Sequence, residues 1–333
     1  MKQELAAAWY RGSLWLWLLW PLSLLFGLLA IIHRQLYRLG LRPVYRAGVP
    51  VIVVGNITVG GSGKTPLILA LVTALREAGF NPGVVSRGYG GQAEYPASVN
   101  ASSSASEVGD EPLLLAMRSG APVVVDPKRP RAVKRLLDEH ACDVVLSDDG
   151  LQHYPLARDI EICVVDAKRG MGNAHLLPMG PLRERKSRLY TVDYIVVNGG
   201  NGNFFPGEVD MHLHAEPWQA LSGASSARMP APDSRVHALA GIGHPQRFFT
   251  MLREQGYEVI EHAFPDHHAY TAADLHFGDS LPLVMTEKDA VKCRHLAGAG
   301  SWYVPVTAQL PPTFYATLVE DLRRLRVRKN HAG

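Results

Sequence analysis

The residues with the clearest potential for chemistry lie between positions 51 and 66. Residues 51–54 are β-branched and apolar, which predicts a buried strand. A glycine-rich turn follows, and Lys64 and Thr65 then open a segment whose apolar residues have helical spacing. Glycines let backbone N–H groups approach a polyphosphate, and a helix start adds partial positive charge. This order predicts a phosphate-binding loop in which Lys64 neutralises the β- and γ-phosphates and Thr65 holds Mg²⁺.

The loop departs from the standard pattern G-x-x-x-x-G-K-[ST], because Thr58 stands where the first glycine is expected. Its spacing, x-G-G-x-G-K-T, is close to the variant loop of the MinD/ParA-like ATPases, which carry a lysine where this chain has Val59. A glycine-rich turn that binds nothing is the alternative interpretation. The residues predicted to bind ATP are Thr58, Val59, Gly60, Gly61, Ser62, Gly63, Lys64 and Thr65.

Two adjacent carboxylates, Asp148 and Asp149, end another predicted strand. In proteins with a phosphate-binding loop, a carboxylate at this position holds Mg²⁺ directly or through water. Adjacent side chains of a strand point to opposite faces, so we expect the two aspartates to do different jobs. The alternative is a simple Asp-Asp-Gly turn, but the combination with Lys64 and Thr65 favours a metal site.

Three further positions carry side chains suited to chemistry. Asp110 lies at a predicted helix start, where an N-terminal cap is the simplest interpretation. His267 belongs to the densest histidine cluster, for which a surface turn is the alternative. Arg183 lies in a loop rich in proline and glycine, from which an arginine could clamp an anion.

Composition narrows the class of protein. The chain has 333 residues, of which 47% are hydrophobic and 20% charged, so it is not disordered. Its net charge of +3 is too small to indicate nucleic-acid binding. Three cysteines stand far apart without a C-x-x-C pair, which argues against a disulfide framework or a zinc site.

Residues 13–32 form a run of 20 uncharged, mostly apolar residues. As a helix this run is about 30 Å long, the thickness of the hydrocarbon core of a bilayer. Tryptophans crowd its first half, and arginines follow it more often than basic residues precede it, which places the bulk of the chain in the cytoplasm. The alternatives are a buried core helix and a helix that lies in the membrane surface.

Short apolar strands alternate with helical segments in the remaining chain. This alternation predicts an α/β fold of the P-loop NTPase type, with a mostly parallel sheet and helices on both faces. We expect four parts: an N-terminal membrane helix with a basic flank (1–46), a phosphate-loop core (47–200), a linker or ribbon (201–235) and a smaller C-terminal α/β part (236–330).

The motifs together resemble one family, the tetraacyldisaccharide 4'-kinases of lipid A biosynthesis. The stretches that carry the resemblance run in order along nearly the whole chain. They include GNITVGGSGKTP (55–66), VGDEPLLLA (108–116), SDDGLQHY (147–154), LLPMGPLRE (176–184) and FPDHHAY (264–270). The first, third and fourth of these stretches together are highly specific.

The resemblance implies a kinase on the cytoplasmic face of the bacterial inner membrane, in contact with inner-membrane lipid. It implies transfer of the γ-phosphoryl group of ATP, with Mg²⁺, to the 4'-hydroxyl of a tetraacylated glucosamine disaccharide 1-phosphate. The resemblance also implies that Asp110 accepts the hydroxyl proton with help from His267, and that Arg87 and Arg183 contact the substrate. It implies that Thr65, Asp148 and Asp149 surround the metal.

A different class of function is the runner-up: a membrane-bound MinD/ParA-like ATPase that acts as a nucleotide-controlled switch. Val59 in place of the lysine of that class counts against it, and so do the SDDGLQHY and PDHH stretches. A GTPase is a weaker alternative, because the chain has no N-K-x-D motif.

Overall fold

The computed structural model describes residues 2–100, 102–221, 229–298 and 300–330. In this part of the chain the strands form one sheet of nine strands and one of five. The nine strands of the large sheet are β1 (Val51–Gly55), β2 (Pro82–Ser86), β3 (Ala97–Val99), β4 (Val123–Val125), β5 (Val144–Asp148), β6 (Ile160–Asp166), β7 (Tyr194–Asn198), β8 (Val209–Ala215) and β14 (Val306–Gln309). The five of the small sheet are β9 (Gln219–Ala220), β10 (Arg235–Ala240), β11 (Glu258–Ala263), β12 (Leu283–Thr286) and β13 (Ser301–Val304).

The α-helices of the described residues surround these two sheets. They are α1 (Lys2–Arg11), α2 (Trp20–Arg38), α3 (Lys64–Glu77), α4 (Ala105–Val108), α5 (Asp110–Ser119), α6 (Arg129–Glu139), α7 (Pro245–Glu254), α8 (Glu287–Cys293) and α9 (Pro312–Asn330).

The large sheet has the strand order β14-β8-β7-β6-β1-β5-β2-β4-β3, with β1 at its centre. The inner strands of this order, from β8 through β1 to β4, run parallel to one another. The two edge strands, β14 and β3, run antiparallel to their neighbours. Ile52 and Val54 pack towards α3, α5 and α9, whereas Val51 and Val53 pack in the cluster that includes α6. A strand that alternates between two covered faces must be apolar throughout, as β1 is. The predicted fold class is confirmed.

The small sheet has the order β11-β10-β12-β13-β9, in which the first four strands are parallel. Helix α7 covers one face through Phe248, Phe249 and Leu252. Helix α8 contributes Ala290 and Cys293 to a second cluster. This sheet is the smaller C-terminal α/β part that the sequence predicts.

The chain crosses between the sheets at places that differ from the predicted segments. The apolar residues at 302–306 predict one strand, but Pro305 separates β13 of the small sheet from β14 of the large sheet. Proline has no N–H and a fixed φ, so it interrupts sheet pairing. Within the predicted linker or ribbon, residues 209–214 are a strand candidate, and they do form a strand, β8, which pairs with β7 in the large sheet. Residues 222–228 of that linker lie outside the described residues.

The serine and alanine content of residues 97–106 predicts a loop, but this segment contains β3 and the start of the short helix α4. Strand β3 pairs with β4 at the edge of the large sheet. Ser104 caps α4: its hydroxyl accepts from the Glu107 N–H, and its own N–H donates to the Glu107 carboxylate. Local capping therefore stabilises a helix in a stretch whose serine content favoured a loop.

The apolar run near the N-terminus is divided into two helical pieces. A 3-10 helix covers Leu14–Leu19, and Pro21 lies in the first turn of α2, where a missing N–H costs nothing. The continuous stretch Leu14–Arg38 is long and apolar enough to cross a membrane. Only 17% of its most apolar window is buried, so it is not a core helix.

One face of α2 is nevertheless docked on the rest of the protein. The buried Ser23 hydroxyl donates to the carbonyl oxygen of Leu176 at 3.0 Å and accepts from the N–H of Met179 at 2.9 Å. Gly27 faces the same loop so closely that a Cβ would lie 2.7 Å from a Leu176 methyl group. The opposite face is exposed, and the exposed fraction reaches 83% for Leu14 and 81% for Leu18 just before α2.

Candidate active site

The phosphate-binding loop lies between β1 and α3, at the carboxyl edge of the large sheet. Gly60 and Gly63 have φ values of 100° and 95°, in the left-handed region that favours glycine. A Cβ on Gly63 would lie 2.8 Å from Nδ2 of Asn198, closer than two such atoms can approach. Both glycines are therefore required by the path of the backbone.

Two asparagine side chains, one directly after β1 and one at the end of β7, donate hydrogen bonds to the backbone of this loop. Asn56 donates from Nδ2 to the carbonyl oxygen of Gly60, and Asn198 does the same to Ser62, both at 3.2 Å. Asn198 is the buried last residue of β7, and the sequence analysis did not select it. An asparagine followed by two glycines at the end of an apolar strand was the signal that could have found it.

The backbone conformation at position 58 does not require glycine, so Thr58 can stand where the usual pattern has its first glycine. It forms an antiparallel bridge with Leu182, and the next N–H, of Val59, donates to the Pro181 carbonyl at 2.9 Å. Thr58 is not among the residues with positive φ. The departure from the standard pattern thus reflects an attachment to the loop that carries Arg183.

Asp148 is the buried last residue of β5. Its Oδ2 accepts a hydrogen bond from the Ser86 hydroxyl at 2.9 Å, and the Arg129 guanidinium donates to its backbone carbonyl at 2.8 Å. Oδ1 is buried and has no hydrogen-bond partner among the described residues. Burial, together with the negative charge of Glu111, raises the pKa of Asp148 to about 6.

Asp149 occupies a different environment, as the sequence predicts for two neighbouring carboxylates. Its φ of 47° turns its side chain away from the strand. Oδ1 lies 3.4 Å from Nζ of Lys64, and Oδ2 lies 3.0 Å from a guanidinium nitrogen of Arg183. Burial alone would raise the pKa of Asp149, but Lys64 and Arg183 lower it to about 2.

The arrangement fits a magnesium ion bound next to phosphate. The unpartnered Oδ1 of Asp148 is an orphaned buried carboxylate oxygen, and the Thr65 hydroxyl lines the same cavity. In the described part of the chain, no group of three or more His, Cys, Asp or Glu side chains forms a metal site by itself. This suits Mg²⁺, which usually takes one or two protein ligands and completes its shell with phosphate oxygens and water.

Asp110 and His267 meet across the gap between the two sheets. Nδ1 of His267 lies 3.0 Å from Oδ2 and 3.1 Å from Oδ1 of Asp110. Gly109, with a φ of 91°, occupies the N-cap position of α5, so Asp110 is the first residue of the helix and not its cap. His267 has a φ of 61°, an uncommon value for a residue with a side chain. The packing between the sheets therefore holds this turn in a strained conformation.

The electrostatics of this pair favour an ionised carboxylate. Burial would raise the pKa of Asp110, but the hydrogen bond from His267 and the charge of Lys288 lower it overall. The hydrogen bond to Asp110 in turn raises the pKa of His267. A buried carboxylate that stays ionised and faces a cavity is suited to accept a proton.

One cavity of about 1570 Å³ brings the predicted site residues together. Of these residues, only Thr58 does not line it. Arg87 lines it as an exposed side chain, and Arg183 lines it while it pairs with Asp149. The cavity also extends to α2, where Phe26, Gly27 and Ala30 form part of its wall.

Comparison with known proteins shows which family the chain belongs to. The family model described as Tetraacyldisaccharide-1-P 4'-kinase matches residues 15–323. The chain belongs to this kinase family. The relatives of this family are named as kinases, which confirms the predicted ATP-dependent phosphotransferase over the MinD/ParA-like switch.

Relatives of this kinase cover the whole chain. A tetraacyldisaccharide 4'-kinase of Aeromonas salmonicida is 51% identical over 337 residues, which cover 100% of both chains. A second, from Tolumonas auensis, is 51% identical over 96% of this chain and 97% of its own. The crystal structure of LpxK from Aquifex aeolicus in complex with ATP has a TM-score of 0.77 and 27% identity, and the match covers 93% of this chain and 99% of that one.

The contrast between Asp148 and Asp149 predicts opposite effects on stability. Because the folded state raises the pKa of Asp148 to about 6, its ionised form destabilises the folded protein above that pH, and this cost disappears as the pH falls towards 4. In protein without nucleotide and Mg²⁺, Asp148→Asn should raise the free energy of unfolding at pH 8 by about 1 to 3 kcal/mol.

The matched control is Asp149→Asn, which should lower stability at the same pH, because it removes the partner of Lys64 and Arg183. Urea unfolding at pH 8 and pH 5 measures both changes. A less stable Asp148→Asn protein at pH 8 would contradict the assigned environment of that carboxylate.

Proposed function

We propose that this protein transfers the γ-phosphoryl group of ATP to the 4'-hydroxyl of a tetraacylated glucosamine disaccharide 1-phosphate, which yields a lipid A precursor. The observation that carries the proposal is the single cavity. It contains the phosphate-binding loop and the Asp110–His267 pair at one end and the apolar helix α2 at the other. This geometry matches an acceptor whose sugar must meet ATP while its acyl chains stay in an apolar environment. Family membership supports the same reaction.

In this proposal, residues 58–65 hold the polyphosphate of ATP. Backbone N–H groups around the left-handed Gly60 and Gly63 point at the phosphates. The start of α3 adds partial positive charge, and Lys64 neutralises charge on the β- and γ-phosphates. Without nucleotide, Lys64 pairs with Asp149.

Thr65, Asp148 and Asp149 are the proposed residues around Mg²⁺. When bound there, Mg²⁺ would supply positive charge that offsets the negative charge of the phosphate oxygens. The Ser86 hydroxyl donates a hydrogen bond to one carboxylate oxygen of Asp148. The other oxygen has no hydrogen-bond partner among the described residues. Arg183 holds Asp149 in place from the opposite side.

Asp110 is the proposed base. The 4'-hydroxyl oxygen attacks the γ-phosphorus, the bond from that phosphorus to the β–γ bridging oxygen breaks, and ADP leaves. The hydroxyl proton passes to a carboxylate oxygen of Asp110, while His267 orients that carboxylate through Nδ1. In a loose transition state the proton leaves late, so a carboxylate is a sufficient base.

Cations along the cavity suit an anionic acceptor. Arg87 and Arg183 are the proposed contacts close to the reacting phosphates. Nearer α2, the cavity is lined by Arg34 and Arg185, and neither pairs with a carboxylate in the described part of the chain. Guanidinium groups without acidic partners are free to bind a phosphate group of the lipid.

The N-terminal helices are the proposed contact with the inner membrane, on its cytoplasmic face. Ser23 and Gly27 attach α2 to the loop at residues 176–179, while the opposite face is apolar and exposed. A helix fixed along one side lies in the bilayer surface more readily than it crosses the bilayer, which favours the interfacial arrangement. Arg38, Arg42 and Arg46 then lie where anionic headgroups are.

Nucleic acid is not among the proposed partners. The net charge of +3 is too small to indicate a basic surface that would bind it.

The direct test of this function is transfer of labelled γ-phosphate from ATP to the disaccharide lipid in detergent. Wild-type protein should phosphorylate the lipid at the 4' position. Lys64→Ala should lower kcat at least about 100-fold, because it removes charge that stabilises the transition state. Lys168→Ala, an exposed lysine beyond β6, is the control and should retain activity. Near wild-type turnover by Lys64→Ala would remove the basis for the proposed phosphate loop.

A double-mutant cycle tests the proposed base. Asp110→Ala and His267→Ala should each lower kcat about 100-fold or more with a modest change in the KM for ATP, because neither is proposed to hold phosphate. The double variant should lose less than the product of the two single losses, since His267 acts through Asp110. Fully multiplicative losses would show two independent roles, and a normal kcat for Asp110→Ala would leave the base elsewhere.

The membrane contact is tested with vesicles that contain phosphatidylglycerol. Replacing Leu14, Leu18 and Leu25 by Gln should reduce vesicle binding at least about 100-fold. Each substitution removes about 1.5 kcal/mol or more of the free energy gained when a leucine side chain is buried in the bilayer. Nucleotide binding should persist, since these side chains are exposed in the protein. Phe204→Gln with Met229→Gln, two exposed apolar residues elsewhere, is the control. Unchanged flotation of the triple variant would refute the assigned surface.

A further inference from the structure

Lys288, the second residue of α8, extends its ammonium group into a cluster of three carboxylates. Nζ lies 2.9 Å from Oε1 of Glu111, 3.1 Å from Oδ1 of Asp266 and 3.8 Å from Oδ2 of Asp110. The side chain is only 17% exposed. Asp110 and Glu111 begin α5 beside the large sheet, whereas Asp266 follows β11 of the small sheet. One buried cation therefore joins both parts of the protein next to the proposed base.

The charges around Asp110 make this cation necessary. His267 faces the carboxylate from the turn after β11, and its Nε2 lies 3.8 Å from Asp266. Lys292, one turn further along α8, pairs with the buried Asp289 at 2.9 Å and is a more distant positive charge. Without Lys288, two adjacent carboxylates and Asp266 would share one partly buried region with only a histidine beside them. Such a group of like charges favours protonation.

The protonation of Lys288 follows from the same geometry. Burial would lower the pKa of its ammonium group, but Glu111, Asp110 and Asp266 raise it above the usual value for lysine. The group is therefore a permanent positive charge at any pH at which the protein works.

We propose that Lys288 is a positioning residue for the proposed phosphoryl transfer. It keeps the carboxylate of Asp110 ionised, and it fixes the turn at Asp266 and His267 against α5 so that His267 Nδ1 meets that carboxylate. The inference rests on the proposed function, in which Asp110 accepts the hydroxyl proton. Lys288 lines the same cavity, but in this role it acts through Asp110 and His267.

A purely structural role for Lys288 makes a different prediction, and the chain contains a matched comparison. Arg118 lies on α5, the helix that begins with Asp110 and Glu111. It pairs at 2.6 Å with Glu287, the residue before Lys288 on α8. This ion pair joins the same two helices, but it does not contact Asp110. Arg118→Met therefore removes a link between the two parts without removing charge next to the base.

The experiment measures the pH dependence of kcat/KM for lipid phosphorylation, with full-length wild-type protein, Lys288→Met, Lys288→Arg and Arg118→Met. Loss of the Lys288 charge raises the pKa of Asp110 and of His267, so the acid limb of the Lys288→Met profile should move to higher pH by about 1 to 2 units. At pH 7 the kcat of this variant should fall about 10-fold or more, with less than about a threefold change in the KM for ATP.

Lys288→Arg keeps the charge, so its acid limb should lie within about half a unit of the wild-type value. Arg118→Met should keep the wild-type limb whatever its stability. Titration of ATP itself is common to all variants and does not contribute to the differences.

An active wild-type protein with an unshifted acid limb in Lys288→Met would overturn this inference alone, whereas a wild-type protein without transfer would overturn the proposed function. If Lys288→Met does not fold, the same comparison is made between Glu111→Gln and the double variant Glu111→Gln/Lys288→Met. The double variant removes one negative and one positive charge together. The double variant should then have the higher acid limb, and equal limbs would overturn the proposal.

Discussion

Charge balance among buried and partly buried carboxylates at the carboxyl edge of the large sheet is the constraint on which this structure depends. Asp110, Asp148 and Asp149 line one cavity with the glycine-rich loop, so each needs positive charge or hydrogen-bond donors. Lys64 and Arg183 supply it to Asp149, and His267 and Lys288 supply it to Asp110. Asp148 receives one hydroxyl hydrogen bond and keeps an oxygen without a partner in the described part of the chain. This oxygen is the basis for the proposed contact of Asp148 with Mg²⁺.

A single loop, residues 176–183, connects the apolar helix α2, the proposed membrane contact, with the candidate active site. Its backbone binds the Ser23 hydroxyl of α2 at Leu176 and Met179. A few residues later Leu182 pairs with Thr58 of the phosphate loop, and Arg183 then reaches Asp149. The apolar helix and the nucleotide site are consequently held by the same short segment. This explains how an acceptor anchored by its acyl chains can be presented to ATP at a fixed distance.

The two sheets meet at the acceptor end of the site. Strand β11 leads into the turn that carries Asp266 and His267, and α8 carries Lys288, so the small sheet contributes groups that act on Asp110 of the large sheet. The chain crosses between the sheets at β8–β9 and at Pro305, and the two crossings lie side by side, because the N–H of Glu216 donates to the Pro305 carbonyl at 2.9 Å. The proposed proton-accepting end of the site thus depends on the interface between the sheets and not on either sheet alone.

Local pattern determined a large part of this protein. The β-branched run at 51–54, the glycines at 60 and 63 and the helical spacing after Lys64 specify strand, turn and helix, because each depends on neighbours within a few residues. The position of Asp148 at a strand end and the alternation of strands and helices are local in the same sense. The α/β class and the phosphate loop followed from such features.

Tertiary structure decided what local pattern cannot contain. Ser86, Asn198 and Lys288 act on residues 62, 136 and 178 positions away in the chain, on Asp148, Ser62 and Asp110 respectively. Their roles depend on strand order and on how the sheets meet, which no short spacing records. The split of 302–306 has the same cause: Pro305 marks a break, but only packing sends the two halves to different sheets. Periodicity reports which face of an element is buried, whereas the partner that buries it is a long-range property of the fold.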